Sequence, residues 1–207
     1  MRTVVVLAGG PDRPAVVGLP PGTTVIAADG GAELGGPIDL VVGDLDSISA
    51  ETLAGIERVE RHAVEKDATD LELALAAALR LEPDRILVLG SAGGRLDHLL
   101  GSLLLLAAEE YAGLDVDAQI GTAAVQVVRG ERTLLGNPGE LVSLLAVNGP
   151  ASGVVTDGLV YPLRGETLHP GSSRGISNVF AANEARIQVE LGVLLAVRPN
   201  GTLTAGA

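Results

Sequence analysis

The sequence predicts an α/β N-terminal domain with a parallel-type sheet and flanking helices, followed by an all-β, sandwich-like C-terminal domain. Residues 3–114 alternate short β-branched runs with helical periods, the rhythm of a parallel sheet covered by helices. Beyond residue 114 the apolar runs stay short, Gly, Pro and Asn turns separate them, and no helical period is visible. The change completes near residues 121–125 without a long linker, which divides the chain into domains 1–122 and 123–207.

Each element follows from local pattern. Residues 3–7 form a continuous β-branched run that ends at Ala8-Gly9-Gly10-Pro11, a buried strand and its turn. Residues 23–28 form a second strand, which ends in Asp29-Gly30-Gly31. Residues 33–36 are ambiguous, and 38–43 form a third strand leading into Asp44-Leu45-Asp46-Ser47. Ser47 or Ser49 caps a short helix from Ala50 to about Ile56. The alternation over 58–64 predicts a half-buried strand. Residues 71–81 carry Leu71, Leu75, Ala78 and Leu79 on one helical face, and Thr69 and Glu72 have capping-box spacing. Residues 85–89 form another buried strand, and a glycine-rich turn, Gly90-Ser91-Ala92-Gly93-Gly94-Arg95, feeds a helix over 96–111. The second half predicts strands at 116–120, 124–128, 132–135, 140–147, 153–156, 159–163, 185–191 and 193–198. Asn137-Pro138-Gly139, Asn148-Gly149-Pro150 and Asn200-Gly201 read as turns.

Composition narrows the function classes. The 207 residues are 47% hydrophobic, enough for a sizeable core. Aromatic residues are limited to Tyr111, Tyr161 and Phe180, so the core is built from Leu, Val, Ile and Ala. The net charge of −12 disfavours nucleic acid, whose binding needs basic side chains against phosphates. The absence of Cys excludes disulfides, thiolate catalysis and zinc–thiolate centres. The apolar run at 4–8 is too short for a secretion signal, and the longest apolar stretch, 99–108, is interrupted by Gly101 and Ser102. The expectation is a cytoplasmic protein that binds neither membrane nor nucleic acid.

Four inferred strand-end turns of the first half carry aspartates: Asp29; Asp44 and Asp46; Asp67 and Asp70; Asp97. A parallel sheet gathers its strand ends along one edge, where ligands of such sheets bind. One acidic turn is ordinary, and acids at the N-terminus of the 71–81 helix also favour its dipole. Four in succession, with glycine beside three of them, point to a shared cation. Clustered carboxylates raise one another's pKa unless a cation sits among them, and Mg²⁺ suits oxygen ligands that share it with phosphates. Arg95 and the amides of Gly93 and Gly94, at a helix N-terminus, are suited to hold the phosphate oxygens. Neither a Walker-type P-loop nor a G-x-G-x-x-G fingerprint is present. In the second half the polar loop Gly171-Ser172-Ser173-Arg174-Gly175-Ile176-Ser177-Asn178 has hydroxyl and amide groups for a small polar ligand.

These strings resemble the thiamine pyrophosphokinase family in order and spacing along nearly the whole chain. The resemblance rests on Ala28-Asp29-Gly30-Gly31, Val42-Gly43-Asp44-Leu45-Asp46-Ser47, Lys66-Asp67-Ala68-Thr69-Asp70 and Gly90 to His98 in the first half. Gly158-Leu159-Val160-Tyr161-Pro162-Leu163 and Gly175-Ile176-Ser177-Asn178 carry it in the second. It implies a homodimer with active sites at the subunit interface, and transfer of the pyrophosphoryl group of ATP to thiamine with AMP as the other product. It implies that Asp44, Asp46, Asp70 and Asp97 form the catalytic Mg²⁺ cluster. It implies that Lys66 and Arg95 meet phosphates, and that Asp29 lies in the same cleft. It assigns Ser177 and Asn178 to thiamine. Some members stack thiamine on tryptophan; this chain has no Trp, and Tyr161 stands at the aromatic position. The residues alone leave open transfer to another heterocyclic alcohol, such as a hydroxymethyl-pterin, or a non-catalytic Mg-nucleotide sensor.

Overall fold

The structure, a computed structural model, describes residues 1–14, 18–19 and 21–203. The chain folds as two compact units, one built mainly from Met1–Ser102 and Leu114–Gly121, the other from Leu103–Gly113 and Thr122–Thr202. Among the described residues no helix is long and apolar enough to cross a membrane.

The first unit is a parallel sheet. Its strands are β1 (Thr3–Ala8), β2 (Thr24–Ala28), β3 (Leu40–Gly43), β4 (Val59–Arg61), β5 (Arg85–Gly90) and β6 (Asp115–Ile120). They lie in the order β4-β3-β2-β1-β5-β6, and every adjacent pair is parallel. Residues 116–120, the start of the short-strand pattern in the sequence, are thus the last parallel strand. Strands covered on both faces read as continuous apolar runs, and Val4, Val5 and Val6 are fully buried. The helices are α1 (Ala50–Ala54), α2 (Asp70–Leu79) and α3 (Leu96–Leu106). Thr69 caps α2 by accepting from the Glu72 N–H, a cap that contributes about 1 kcal/mol. Leu71, Ala74, Leu75, Ala77 and Ala78 form the buried face of α2, which packs on β1, β2 and β3.

Helix α3 ends at Leu106, earlier than the periodicity predicts, and a separate 3-10 turn follows over Glu109–Tyr111. No Gly or Pro stops it. Instead Arg129 donates to the carbonyls of Ala107 and Ala108, both at 2.7 Å, and Asn148 donates to that of Ala107 at 3.0 Å. Side chains distant in sequence bind the carbonyls just past the helix end, where the chain passes into the 3-10 turn.

The second unit contains β7 (Ala123–Val128), β8 (Glu131–Leu135), β9 (Leu141–Asp157), β10 (Arg164–Leu168), β11 (Asn178–Val179), β12 (Glu184–Gln188) and β13 (Leu191–Arg198). Its long strand β9 pairs with β13, β12, β10 and β11, all antiparallel. Two expectations change here. Asn148-Gly149-Pro150 is a bend within one strand rather than a turn between two: Asn148 has φ 59° and Gly149 φ 139°. The register on β13 jumps across it, from Val193 opposite Val147 to Leu191 opposite Ser152. Strands change layer in this way at the corners of sandwiches. Residues 159–163 are not a strand either. Leu159 makes a single bridge to Phe180, Pro162 has no N–H for a ladder, and pairing resumes in β10. Phe180, Leu144, Leu163, Leu168 and Ile187 lie in the core of this unit.

Candidate active site

The parallel register brings the strand ends of the first unit into line. Ala8 lies beside Ala28, Ala28 beside Val42, and Gly43 beside Arg61. Each strand then hands its turn to the same edge. Asp29 opens a 3-10 turn, Asp29–Leu34, directly after β2, with φ 41°. Asp44 follows β3. Asp70 is the first residue of α2, set there by the Thr69 cap.

Among the described residues, Asp29, Asp44 and Asp70 each bring a carboxylate oxygen within 4.8 Å of the others. Gly43 lies among them. A Cβ there would stand 2.8 Å from Asp70 Oδ1 and 3.0 Å from the Asp29 Cβ, and φ is 148°. Glycine is therefore required by both space and backbone. Gly31 plays a related part, since a side chain there would collide with the Leu7 carbonyl and push the Asp29 turn off the sheet.

Lys66 is the cation of this cluster. Its Nζ donates to Asp44 Oδ2 at 2.9 Å and approaches Asp70 Oδ1 at 2.7 Å in an ion pair outside hydrogen-bond geometry. The Lys66 hydrogen bond holds the Asp44 carboxyl below the usual range; burial opposes this, and the Asp46 N–H reinforces it. Burial alone would lower the Lys66 ammonium, but its pairing with the Asp70 and Asp44 carboxylates outweighs this and raises it. Asp29 is 8% exposed, and its Oδ1 is buried without a hydrogen-bond partner. Ionised, three carboxylates and one ammonium leave the cluster doubly negative, the charge that one divalent cation balances. The donor set is all carboxylate oxygen, which fits Mg²⁺, and Asp29 Oδ1 and Asp70 Oδ1, neither in a hydrogen bond, would be available as ligand atoms.

The other predicted residues of this unit lie differently. Asp46 is exposed; its N–H reaches Asp44 Oδ1 at 3.3 Å, and its Oδ1 accepts from Ser47 Oγ at 2.8 Å. Asp97 and Arg95 form an exposed two-point pair, 3.2 Å from Nε to Oδ1 and 2.6 Å from Nη2 to Oδ2. The Arg95 hydrogen bond pushes the Asp97 carboxyl down to about 2. Neither Asp46 nor Asp97 belongs to the close carboxylate group, whereas Asp29, read from sequence as part of the phosphate side of the cleft, does.

Gly93 and Gly94 pack where the strand order reverses, between β1 and β5. Side chains there would run into Asp12 and Pro11 of the β1 turn. Ser91 Oγ accepts from the N–H groups of Asp12 and Gly93 at 3.1 and 3.0 Å, which joins the two turns. Asp12, Ser91 and Arg61 carried no site reading in the sequence, because their roles come from contacts between turns. The Arg61 Nη1 donates to the Asp44 carbonyl at 3.0 Å.

In the second unit Asn178 is 3% exposed and already engaged. Its Oδ1 accepts from the N–H groups of Tyr161 and Val179, and its Nδ2 donates to the Tyr161 carbonyl at 2.8 Å. It pins the loop that presents Tyr161, which is 58% exposed. Ser177 has φ 58°, and its N–H donates to Ser143 Oγ at 3.1 Å. Val160 and Ile176 are also exposed in this unit.

Comparison with known proteins agrees with this layout. Residues 21–116 match the family described as thiamin pyrophosphokinase, catalytic domain, and residues 127–194 match thiamin pyrophosphokinase, vitamin B1 binding domain. The first match spans Asp29 to Asp97, and the second spans Tyr161 to Asn178. The chain is 30% identical to thiamine pyrophosphokinase of Bacillus subtilis (strain 168), over 96% of this chain and 99% of that protein. A crystal structure of thiamine pyrophosphokinase from Bacillus subtilis superposes with a TM-score of 0.82 at 26% identity, covering 97% of this chain and 100% of that one. Thiamin pyrophosphokinase from Candida albicans shares the fold at a TM-score of 0.75 and 14% identity, over 95% and 89% of the two chains. The chain belongs to the thiamin pyrophosphokinase family.

Proposed function

We propose that this protein transfers the pyrophosphoryl group of ATP to the hydroxyl of thiamine, forming thiamine diphosphate and AMP. The observation that carries the reading is the carboxylate group of Asp29, Asp44 and Asp70 around Gly43, in a chain of this family. These three residues would hold Mg²⁺, and Asp46 and Asp97 on neighbouring turns complete the acidic set. Bound there, the ion would neutralise the polyphosphate of ATP. Lys66, Arg95 and the Gly94 amide hold phosphate oxygens, with Gly93, whose N–H is on Ser91 Oγ, shaping the turn, which makes positioning and charge neutralisation the main catalytic resources. The thiamine hydroxyl oxygen attacks the β-phosphorus in line. The new O–Pβ bond forms as the bond between Pβ and the oxygen bridging it to Pα breaks, that oxygen leaving with AMP, and Asp70 orients the hydroxyl and takes its proton.

Residues 1–122 supply the nucleotide end and 123–207 the thiamine end. Ser177 and Tyr161 face thiamine, and Asn178 acts by fixing the Tyr161 loop. The protein works as a cytoplasmic homodimer with active sites at the subunit interface. The exposed leucines of α3, Leu96, Leu100 and Leu104, support association, because their spacing makes one apolar stripe.

The test mixes protein, ATP, Mg²⁺ and thiamine. AMP and thiamine diphosphate are expected in equal amounts, with none formed in chelator. ADP as the nucleotide product, or turnover with a pterin alcohol and none with thiamine, would overturn the reading.

A further inference from the structure

We infer that Arg61 is a positioning residue of the acidic site, holding the Asp44 turn in the shape that binds a divalent cation. This rests on the reading that Asp29, Asp44 and Asp70 take that cation. The three-residue edge strand β4 runs parallel to β3 with Arg61 beside Gly43. The His62 N–H donates to the Gly43 carbonyl at 2.8 Å, and the Arg61 guanidinium donates to the Asp44 carbonyl at 3.0 Å. Two consecutive carbonyls are thus taken from one side just as the chain leaves the sheet. The next residue, Leu45, is buried in the left-handed region with φ 67°, a conformation that a branched side chain keeps only when neighbours impose it. The far end of the turn is tied by Glu33, whose Oε1 accepts from the Ser49 N–H at 2.7 Å. At the near end the Arg61 guanidinium ties the turn's backbone to β4. The Asp46 N–H closes back on Asp44 Oδ1, so the path of the backbone sets the aim of that carboxylate.

The experiment titrates Mn²⁺ into full-length protein with detection by electron paramagnetic resonance, comparing the wild type with Arg61→Ala, Arg61→Lys and Asp44→Asn. Arg61→Ala is expected to weaken Mn²⁺ about tenfold, the lower end of the effect of residues that orient metal ligands. Arg61→Lys, which keeps a donor, should stay within about threefold of wild type on the same scale. The KM for thiamine should not move. Amide hydrogen exchange at Leu45 and Asp46 should quicken in Arg61→Ala. If Arg61→Ala does not fold, Arg61→Met, which keeps the stem and no donor, replaces it. Wild-type Mn²⁺ affinity in Arg61→Ala, alongside lost affinity in Asp44→Asn, would overturn the role of Arg61 alone. Weaker binding with unchanged amide exchange would also overturn it, because the effect would then be charge without positioning. Wild-type affinity in Asp44→Asn would remove the metal reading itself.

Discussion

The Asp44–Lys66–Asp70 group and the Arg95–Asp97 pair use the same chemistry, carboxylate against cation, in opposite settings. In the first, the side chains of Lys66, Asp44 and Asp70 are 15%, 12% and 27% exposed, with Asp29 buried beside them. In the second, Arg95 and Asp97 are 70% and 66% exposed. The sheet edge holds the first group largely out of solvent. The second pair is local, two residues apart, and is screened by salt, so it contributes little to folding. One group is built by the fold; the other is an exposed pair of charges on a turn.

Substitutions separate the two regions, beginning with the largest effect. Asp44→Asn or Asp70→Asn should lower kcat by at least about 10²-fold, the scale of one lost preorganised electrostatic group, and should also shift the melting temperature. Asp46→Asn and Asp97→Asn should abolish turnover as well but leave melting unchanged, since neither side chain is packed. Melting curves that move equally for all four would erase the distinction. Wild-type rates in Asp46→Asn and Asp97→Asn would confine the metal set to Asp29, Asp44 and Asp70.

Lys66→Met leaves the packed carboxylates without their cation. Its melting temperature should fall by about 2–4 °C in chelator, the shift that roughly 1 kcal/mol produces at this size. Mg²⁺ should recover more of that loss than it adds to wild type. Calorimetry with and without Mg²⁺ decides, and an equal Mg²⁺ effect in both proteins would break the link between Lys66 and the cation.

The two regions also differ in titration. Asp97 has a folded pKa of about 2, below its unfolded value near ~3.9. Its contribution is therefore present above that unfolded value and lost as pH falls toward the folded one, and it is small because the pair is exposed. Asp44 is also lowered, so its pairing with Lys66 is lost on the acid side too. Lys66 is raised, so the same pairing is complete below the unfolded lysine value of about 10.4 and is lost as pH rises through the higher folded value. Carboxyl NMR titration should show the Asp97 midpoint climbing when salt is added and the Asp44 midpoint holding. Equal salt sensitivity would place both in the same setting.

The smallest effect lies in the second unit. Tyr161→Ala should raise the KM for thiamine about tenfold, the worth of one aromatic contact, with the KM for ATP unchanged. A change in both would mean that Tyr161 does more than meet the acceptor.

Much of the fold was legible because its signals are local. The β-branched runs of β1, β2 and β5 carry their burial in their composition. Thr69 announces the start of α2, and the Gly-Asp turns announce the strand ends. The acidic turns themselves were legible for the same reason. What local pattern could not carry was distance. The bend of β9 at Asn148 looks like a chain reversal until β13 pairs across it. The end of α3 depends on Arg129 and Asn148. The hydrogen bonds of Asn178 to the Tyr161 backbone, across 17 residues, have no local signal.

The sequence alone determined which residue types stand at which strand ends, and so the chemistry on offer: carboxylates, one lysine, glycines where side chains would collide. Tertiary structure decided which of them meet. Parallel pairing in register placed Asp29 beside Gly43, and the cap of α2 brought Asp70 and Lys66 to the same point. Asp46 and Asp97 stay outside the close carboxylate group. Spacing along a chain sets direction, but only the pairing of strands converts residues 29, 44 and 70 into oxygens within 4.8 Å of one another.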